Sequence, residues 1–376
     1  MRIALAGLGL FACGAGALAC GPATAAPHVE VVAQHLHVPW ALAFATDGRL
    51  FFTEEVSGRL KVLAPGGEPG VVVEFPRPPD AVSVLRGLAL DPDFLHNGWF
   101  YVHYTHPEST RLARFTLREG AATDERVLLN RLPMAMTNFG GRLKFGPDGM
   151  LYLTTGYAND FDLPQDPGSL AGKILRVDPT GGWSVYSLGH RNVQGLAWHP
   201  ESGRLFATEH GPTGERGLCC NDEVNLIVPG GNYGWPVRAG SKLPMGSGLV
   251  TPLDPALLPP VLESGEETWA PSGADFYRGP WVAWKGSLFF AALRGQALHR
   301  VVFTGPDFTE VELHERLLAG EYGRLRDVAS GPEGCLYVAT SNRDGRSGAQ
   351  PAPQDDRILR VCPRTPRGKL GPSPSR

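Results

Sequence analysis

Four groups of residues carry side chains or carbonyls suited to chemistry. Gly189-His190-Arg191-Asn192 stands just before an apolar, strand-like run, and its arginine can fork onto a planar or anionic ligand. Glu209-His210-Gly211-Pro212, followed by Asn221-Asp222-Glu223 and Asn232-Tyr233-Gly234-Trp235-Pro236, gathers carboxylates and loop carbonyls. Hard oxygen donors of this kind suit calcium, although the fixed spacing of an EF-hand is missing. Arg324-Leu325-Arg326-Asp327 sets two guanidiniums at alternate positions, so both point to one face of an extended segment. Arg294, in Leu293-Arg294-Gly295-Gln296, adds another cation. A lone arginine most often makes a surface ion pair of little consequence. Four arginines, all next to core strand runs, point instead to one shared anionic ligand.

These groups fall between the elements of a recurring unit. One copy reads Ala41-Leu42-Ala43-Phe44, Asp47-Gly48, Leu50-Phe51-Phe52-Thr53 and a third run at 58–62. Another reads Arg142-Leu143-Lys144-Phe145, Pro147-Asp148-Gly149, Leu151-Tyr152-Leu153-Thr154 and a third run at 173–177. Further copies begin near residues 87, 195, 273 and 326. In the turns, Pro fixes φ, Asp bonds its own backbone and Gly accepts a positive φ. Apolar and aromatic runs bounded by such turns form hairpins. Units of roughly 45–55 residues have the size of propeller blades. Six copies predict an all-β chain folded as one six-bladed β-propeller over 27–363, against the plainer reading of a β-sandwich with a chance repeat. The long insertions at 157–172, 209–222 and 228–268 are expected on one face, where loops carry function.

Composition agrees. There are 48 glycines and 34 prolines among 376 residues, more than a fifth of the chain, against a usual share of about 12%. A helical bundle is excluded. With 35 basic and 38 acidic side chains, the net charge of −3 offers no footprint for nucleic acid and no polybasic face for anionic lipid.

Residues 1–26 read as a secretory signal: Met1-Arg2, an apolar run, then small residues up to Ala26. Cleavage after Ala25 gives a free periplasmic or extracellular protein, whereas cleavage before Cys20 gives a lipid-anchored one. No later segment reaches transmembrane length. The tail 364–376 is Pro/Gly/Ser-rich and basic, with the composition of disorder. Cys219, Cys220, Cys335 and Cys362 remain outside the signal, an even number in an exported chain. Cys335 and Cys362 lie opposite each other if their two runs pair as a hairpin, and form either a disulfide or two buried thiols. The adjacent Cys219 and Cys220 form either a vicinal ring or two loop thiols.

At these motifs the sequence resembles the soluble pyrroloquinoline-quinone-dependent aldose sugar dehydrogenases, the glucose/sorbosone dehydrogenase family. The resemblance spans essentially all of the mature chain. Its most specific pieces are the run from Phe139-Gly140-Gly141-Arg142 to Pro147-Asp148-Gly149, Ala171-Gly172-Lys173, Gly189-His190-Arg191-Asn192, Glu209-His210-Gly211-Pro212, Asp222-Glu223-Val224-Asn225, Ala270-Pro271-Ser272-Gly273 and Gly323-Arg324-Leu325-Arg326-Asp327.

The resemblance implies a six-bladed propeller carrying pyrroloquinoline quinone (PQQ), a flat tricarboxylic ortho-quinone, on its loop face. It implies that Arg191, Asn192, Arg324 and Arg326 contact the cofactor, with Arg294, Ala292 and Leu293 beside it. It places a catalytic calcium on the carbonyls of Gly211 and Pro212, and a second, structural calcium on Glu223 and the Tyr233 carbonyl. Hydride then leaves the anomeric carbon of an aldose for the quinone, which an external electron acceptor reoxidises. Asn138 and Arg191 fall in the catalytic set. Three positions depart from the family pattern. Asn138 stands where the family has a histidine base, and an amide is no useful proton acceptor near neutral pH. Val82 replaces a usual glutamine. Tyr157 replaces an acidic residue, with Asp160 and Asp162 just beyond it. His190 and His210 belong to motifs that the family carries alongside its base. Two rival readings remain: a non-catalytic propeller that binds carbohydrate or a partner, which Asn138 favours, and a calcium-dependent lactone hydrolase, which has no use for four arginines.

Overall fold

Each repeat unit becomes a four-stranded antiparallel sheet with its strands in chain order. The first consists of Pro39–Phe44, Leu50–Glu54, Arg59–Leu63 and Gly70–Glu74. The computed structural model describes residues 26–78, 83–107, 109–135, 137–241, 256–346, 348 and 350–363. Six such sheets form a β-propeller, with one helical turn at Phe94–Asn97 and a 3-10 turn at Glu215–Gly217 among the described residues. The ring closes non-sequentially. The N-terminal strand His28–Ala33 pairs with Ile358–Cys362, giving the last blade its outer strand.

The turn chemistry works as the residue types demand. At Pro147-Asp148-Gly149, Asp148 Oδ1 accepts the Met150 N–H at 3.2 Å and Gly149 takes φ +74°. Asp148 Oδ2 also accepts the Tyr152 hydroxyl at 3.0 Å and Arg176 Nε at 2.9 Å, tying the turn to its own blade.

Apolar clusters lie between neighbouring blades. Trp40, Phe51 and Leu60 meet Leu85, Phe100 and Val102 across the first junction, and Tyr277, Phe289 and Leu298 meet Leu325, Leu336 and Leu359 across another. The second and third strands are therefore nearly all buried, which made them visible as apolar runs. The fourth strand of each blade was not anticipated. These strands, Ala121–Leu132 and Glu310–Leu317 for example, are largely exposed and lack an apolar pattern.

A buried ion pair crosses the axis of the ring. Arg142 Nη1 meets Asp327 Oδ2 at 3.0 Å, Asp327 Oδ2 accepts the Leu42 N–H at 2.8 Å, and Arg142 Nε donates to the Gln194 carbonyl at 2.7 Å. Four blades are joined by two side chains. Gly273 makes this possible, since a Cβ there would sit 1.5 Å from Asp327 Oδ1.

Cys335 and Cys362 are disulfide-bonded across the last blade, as their hairpin register suggests. Cys219 and Cys220 are bonded to each other. The expected signal (apart from residue 26), Val82 and the tail lie outside the described residues. Among the described residues, no helix is long and apolar enough to cross a membrane.

Candidate active site

Two kinds of connection build the site: those leading into a blade's inner strand, and those joining a blade's second and third strands. Together they line a cleft of about 440 Å³, within the usual ~300–1,000 Å³ of small-molecule sites. Asn138 lies ahead of Leu143–Phe145, Asn192 ahead of Val193–Trp198, and Arg324 and Arg326 head Leu325–Ser330. His210 and Thr213 follow Leu205–Glu209, Leu293 and Arg294 follow Leu288–Ala292, and Arg346 follows Leu336–Thr340. Five of the six inner strands carry a register shift at this end, including Leu85/Leu88 and Leu325/Asp327. Such bulges re-aim side chains, and Arg86 and Arg326 sit within two of them.

Five arginines, Arg86, Arg294, Arg324, Arg326 and Arg346, line the cleft. Two buried carboxylates serve them. Asp344 Oδ2 accepts Arg324 Nη2 at 2.8 Å, Arg324 Nε at 3.0 Å and the Ser341 hydroxyl at 3.0 Å, with Arg326 Nη2 at 3.5 Å. Glu55 meets Arg86 Nη2 at 2.7 Å. Burial works against both carboxylates. Arg326 and Arg324 outweigh it at Asp344, and Arg86, Arg326 and Arg346 at Glu55, so both carboxyls stay below the usual range. Burial also lowers Arg86 and Arg326 to about 10, which leaves both charged at neutral pH. Five guanidiniums against two carboxylates leave three positive charges on the cleft wall. Arg326 Nε is buried without a partner.

Asn192, Leu293, Arg294, Arg324, Arg326 and Asn138 are brought together as expected. Ala292 is fully buried in its strand, opposite Ala297, and stays behind the wall. Arg191 also turns away: its guanidinium donates to Glu215, to Thr213 Oγ1 at 3.3 Å and to the His210 carbonyl at 3.3 Å, between Tyr157 and Trp235. Arg86, Glu55, Asp344 and Arg346 were missed. Arg86 hides as one polar residue inside an apolar run, and the Arg343-Asp344-Gly345 loop offers only a charge where two buried arginines need one.

Asn138 takes φ +57° and its Nδ2 donates to Asn159 Oδ1 at 3.1 Å. Asp160 is exposed, caps the Asp162 N–H at 3.0 Å and does not line the cleft. Among the described residues, the titratable base that reaches it is His210. Its Nδ1 lies 3.4 Å from Asn192 Nδ2, and its Nε2 is buried without a partner. Burial, with Arg191, Arg326, Arg324 and Arg346, pushes His210 well below its ordinary value and keeps it neutral.

The three insertions pack on one another through Tyr157, Phe161, Leu218, Trp235 and Ala239. Asp222 pins the middle one, accepting the N–H groups of Gly211 at 2.8 Å, Trp269 at 2.6 Å and Ala270 at 2.8 Å. Behind His210 lies a void of about 10 Å³ lined by Gly211, Pro212, Glu209, Glu223, Tyr233, Trp235, Arg191 and Arg238. Gly211 and Pro212 thus border the void, and the Pro212 carbonyl accepts the Cys220 N–H at 2.9 Å. Among the described residues, no cluster of three or more His, Cys, Asp or Glu could hold a metal. In the expected Glu223–Tyr233 pair, the Tyr233 carbonyl accepts Arg238 Nη2 at 3.3 Å and Glu223 Oε2 accepts Asn225 Nδ2 at 2.8 Å.

Residues 36–349 match the family model described as Glucose / Sorbosone dehydrogenase. The chain is 30% identical over 371 residues to the aldose sugar dehydrogenase YliI of Escherichia coli, covering 90% of this chain and 93% of that protein. Among solved structures, the oxidoreductase (glucose dehydrogenase) of Thermus thermophilus is 41% identical with TM-score 0.78, over 89% of this chain and 99% of the other. The PQQ-bound aldose sugar dehydrogenase of Streptomyces coelicolor is 34% identical with TM-score 0.74, over 89% and 98%. With its motifs, six blades and arginine-lined cleft accounted for, the chain belongs to the glucose/sorbosone dehydrogenase family.

Proposed function

We propose that the protein is an exported quinoprotein that oxidises an aldose at its anomeric carbon to the lactone, with PQQ in the arginine-lined cleft. The observation that carries this reading is charge: three uncompensated guanidiniums face a cofactor with three carboxylates. The partnerless Arg326 Nε adds a buried donor that a carboxylate would satisfy. Arg324 and Arg326 hold the cofactor's carboxylates, held in place themselves by Asp344. Asn192 and Arg294 flank it, and Leu293 supplies an apolar contact. When bound, the quinone accepts the sugar's hydride and passes its electrons to an external acceptor.

Calcium belongs to the same reading, on the carbonyls of Gly211 and Pro212. The donors there are oxygens, and among the described residues no side-chain cation hydrogen-bonds either carbonyl, which suits a hard cation. Proton removal is the weak step. Asn138 stands at the base position and the histidine on the cleft wall, His210, is buried and neutral, so turnover should be slow. This weakness favours a second reading, a propeller that binds its ligand without oxidising it. Export rests on the signal pattern and on two disulfides, which persist in oxidising compartments; lipidation at Cys20 would tether the protein.

The test is reconstitution with PQQ and calcium, followed by an absorption spectrum and dye reduction across aldoses. A quinone spectrum with sugar-dependent bleaching supports the enzyme. A bound quinone that no sugar bleaches supports the binding propeller.

A further inference from the structure

Counted along the chain from the sheet that starts at Pro39, blades four, five and six supply the residues of the cofactor reading: Asn192, Leu293, Arg294, Arg324 and Arg326. Blades one to three close the other arc of the cleft, where Arg86, Thr137 and Asn138 line the wall. Small-molecule sites are mostly lined by hydrophobic and aromatic side chains. Among the described residues, no aromatic ring lines this cleft, and Ala270 and Leu293 are its apolar side chains. A sugar in the free arc must therefore be recognised through polar and charged groups.

Arg86 is held from several sides. Its Nε donates to Ser83 Oγ at 2.9 Å, its Nη1 donates to the Gly140 carbonyl at 3.0 Å, and its Nη2 pairs with Glu55 at 2.7 Å. The guanidinium also lies 3.3 Å from the centre of the Phe139 ring. A guanidinium has five N–H groups, so these contacts fix its plane and leave one N–H on each terminal nitrogen. Arg346 comes from the loop after Leu336–Thr340, where its backbone N–H donates to Asp344 Oδ1 at 2.9 Å. The residue is exposed, and its guanidinium makes no ion pair among the described residues. Its charge is felt at both Glu55 and Arg86, which places it beside the same arc. One carboxylate thus answers two guanidiniums, and the arc keeps a positive charge.

We propose that this arc is a subsite for the anionic substituent of an acidic monosaccharide, a sugar carrying a carboxylate or a phosphate. Arg86 is the fixed anchor and Arg346 the outer cation. The inference rests on the quinoprotein reading for where the cofactor lies. On that reading the cofactor's three carboxylates cancel the wall's three surplus charges and calcium adds two back, so the loaded cleft favours an anionic sugar over a neutral one.

The probes are glucuronate, glucose 6-phosphate and glucose, titrated by calorimetry into the full chain loaded with PQQ and calcium. One of the acidic sugars is expected to bind about ten- to a hundredfold more tightly than glucose, the size of one charge-assisted contact. Which of the two it is tells carboxylate from phosphate. Arg346→Gln is expected to weaken that sugar by about two- to fivefold, as for an exposed cation. Arg86→Gln should bring it down to the affinity of glucose. The proposal is overturned if glucose binds as tightly as both acidic sugars, or if the preference survives both substitutions. A chain that takes up no quinone contradicts the quinoprotein reading instead. The same titrations on the unloaded chain then decide: a preference lost in Arg346→Gln and Arg86→Gln upholds the subsite, and one that they leave intact overturns it. Should Arg86→Gln not fold, Arg346→Gln decides alone.

Discussion

Asn138 and Asp344 pull the cleft in opposite directions, one limiting chemistry and the other making binding feasible. A positioned base contributes about 10²–10⁴-fold to rate, so Asn138→His should raise aldose oxidation at least about tenfold in PQQ-loaded protein, measured as kcat. The backbone allows it, because His is among the residues that tolerate the positive φ found here. An unchanged kcat with intact quinone binding would mean that the base acts from elsewhere. Asp344 holds two buried arginines together, and removing one partner of a buried pair costs about 3–5 kcal/mol. Asp344→Asn is therefore expected to lower unfolding free energy by that order in denaturant titrations. Added PQQ should restore part of the loss by replacing the missing negative charge. A variant as stable as the native chain would show that Arg324 and Arg326 do not need their counter-ion.

Strands were legible in the sequence where burial made them apolar, and illegible where it did not. Leu50–Glu54 and Leu288–Ala292 are buried at every residue, and both read directly as strands. Glu310–Leu317 is half exposed and half part-buried, with no fully buried residue, because an outer strand has a neighbour on one side only. The inner-strand arginines follow the same logic. Arg324 and Arg326 announced themselves as a pair at alternate positions, whereas Arg86 stood alone within Leu85–Leu90 and needed the ring closed around it to gain a role. Arg191 had the right neighbours in sequence but the wrong direction in space, since Glu215 claims it. His28–Ala33 could not be assigned to a last blade by proximity in sequence, because its partner lies at the far end of the chain. The last blade carries the ring's seam, and Cys335–Cys362 ties two of its strands across a separation of 27 residues. Removing this link with Cys335→Ala/Cys362→Ala should cost about 2–4 kcal/mol in chemical denaturation. No change in the transition midpoint would mean that the His28–Ala33 pairing alone holds the seam.

Across the whole molecule, acid should act through buried histidines as well as through carboxylates. Burial lowers His103 to about 3, with Arg86 adding to the effect, and it lowers His210 and His299 as well. The unfolded chain binds these protons from pH 6.5 downward while the folded chain does not. Stability should therefore fall as pH drops from about 6.5 toward 3, by up to roughly 1.4 kcal/mol per unit for each histidine. His103→Asn should make that slope shallower in pH-dependent melting, and an identical slope would contradict the assignment. The molecule as a whole carries −3, yet its cleft wall carries three uncompensated positive charges. That contrast makes cofactor binding the most direct test of the proposed function. The decisive measurement is calorimetric titration of PQQ with calcium into the apo chain, beside Arg324→Ala/Arg326→Ala checked for native folding. Each charge-assisted contact is worth about 1.5–3 kcal/mol. The expected result is one quinone per native chain and an affinity lower by roughly 10²–10⁴-fold in the double variant. Equal affinity in the two proteins, or no heat of binding in the native chain, would contradict a quinone held by these arginines.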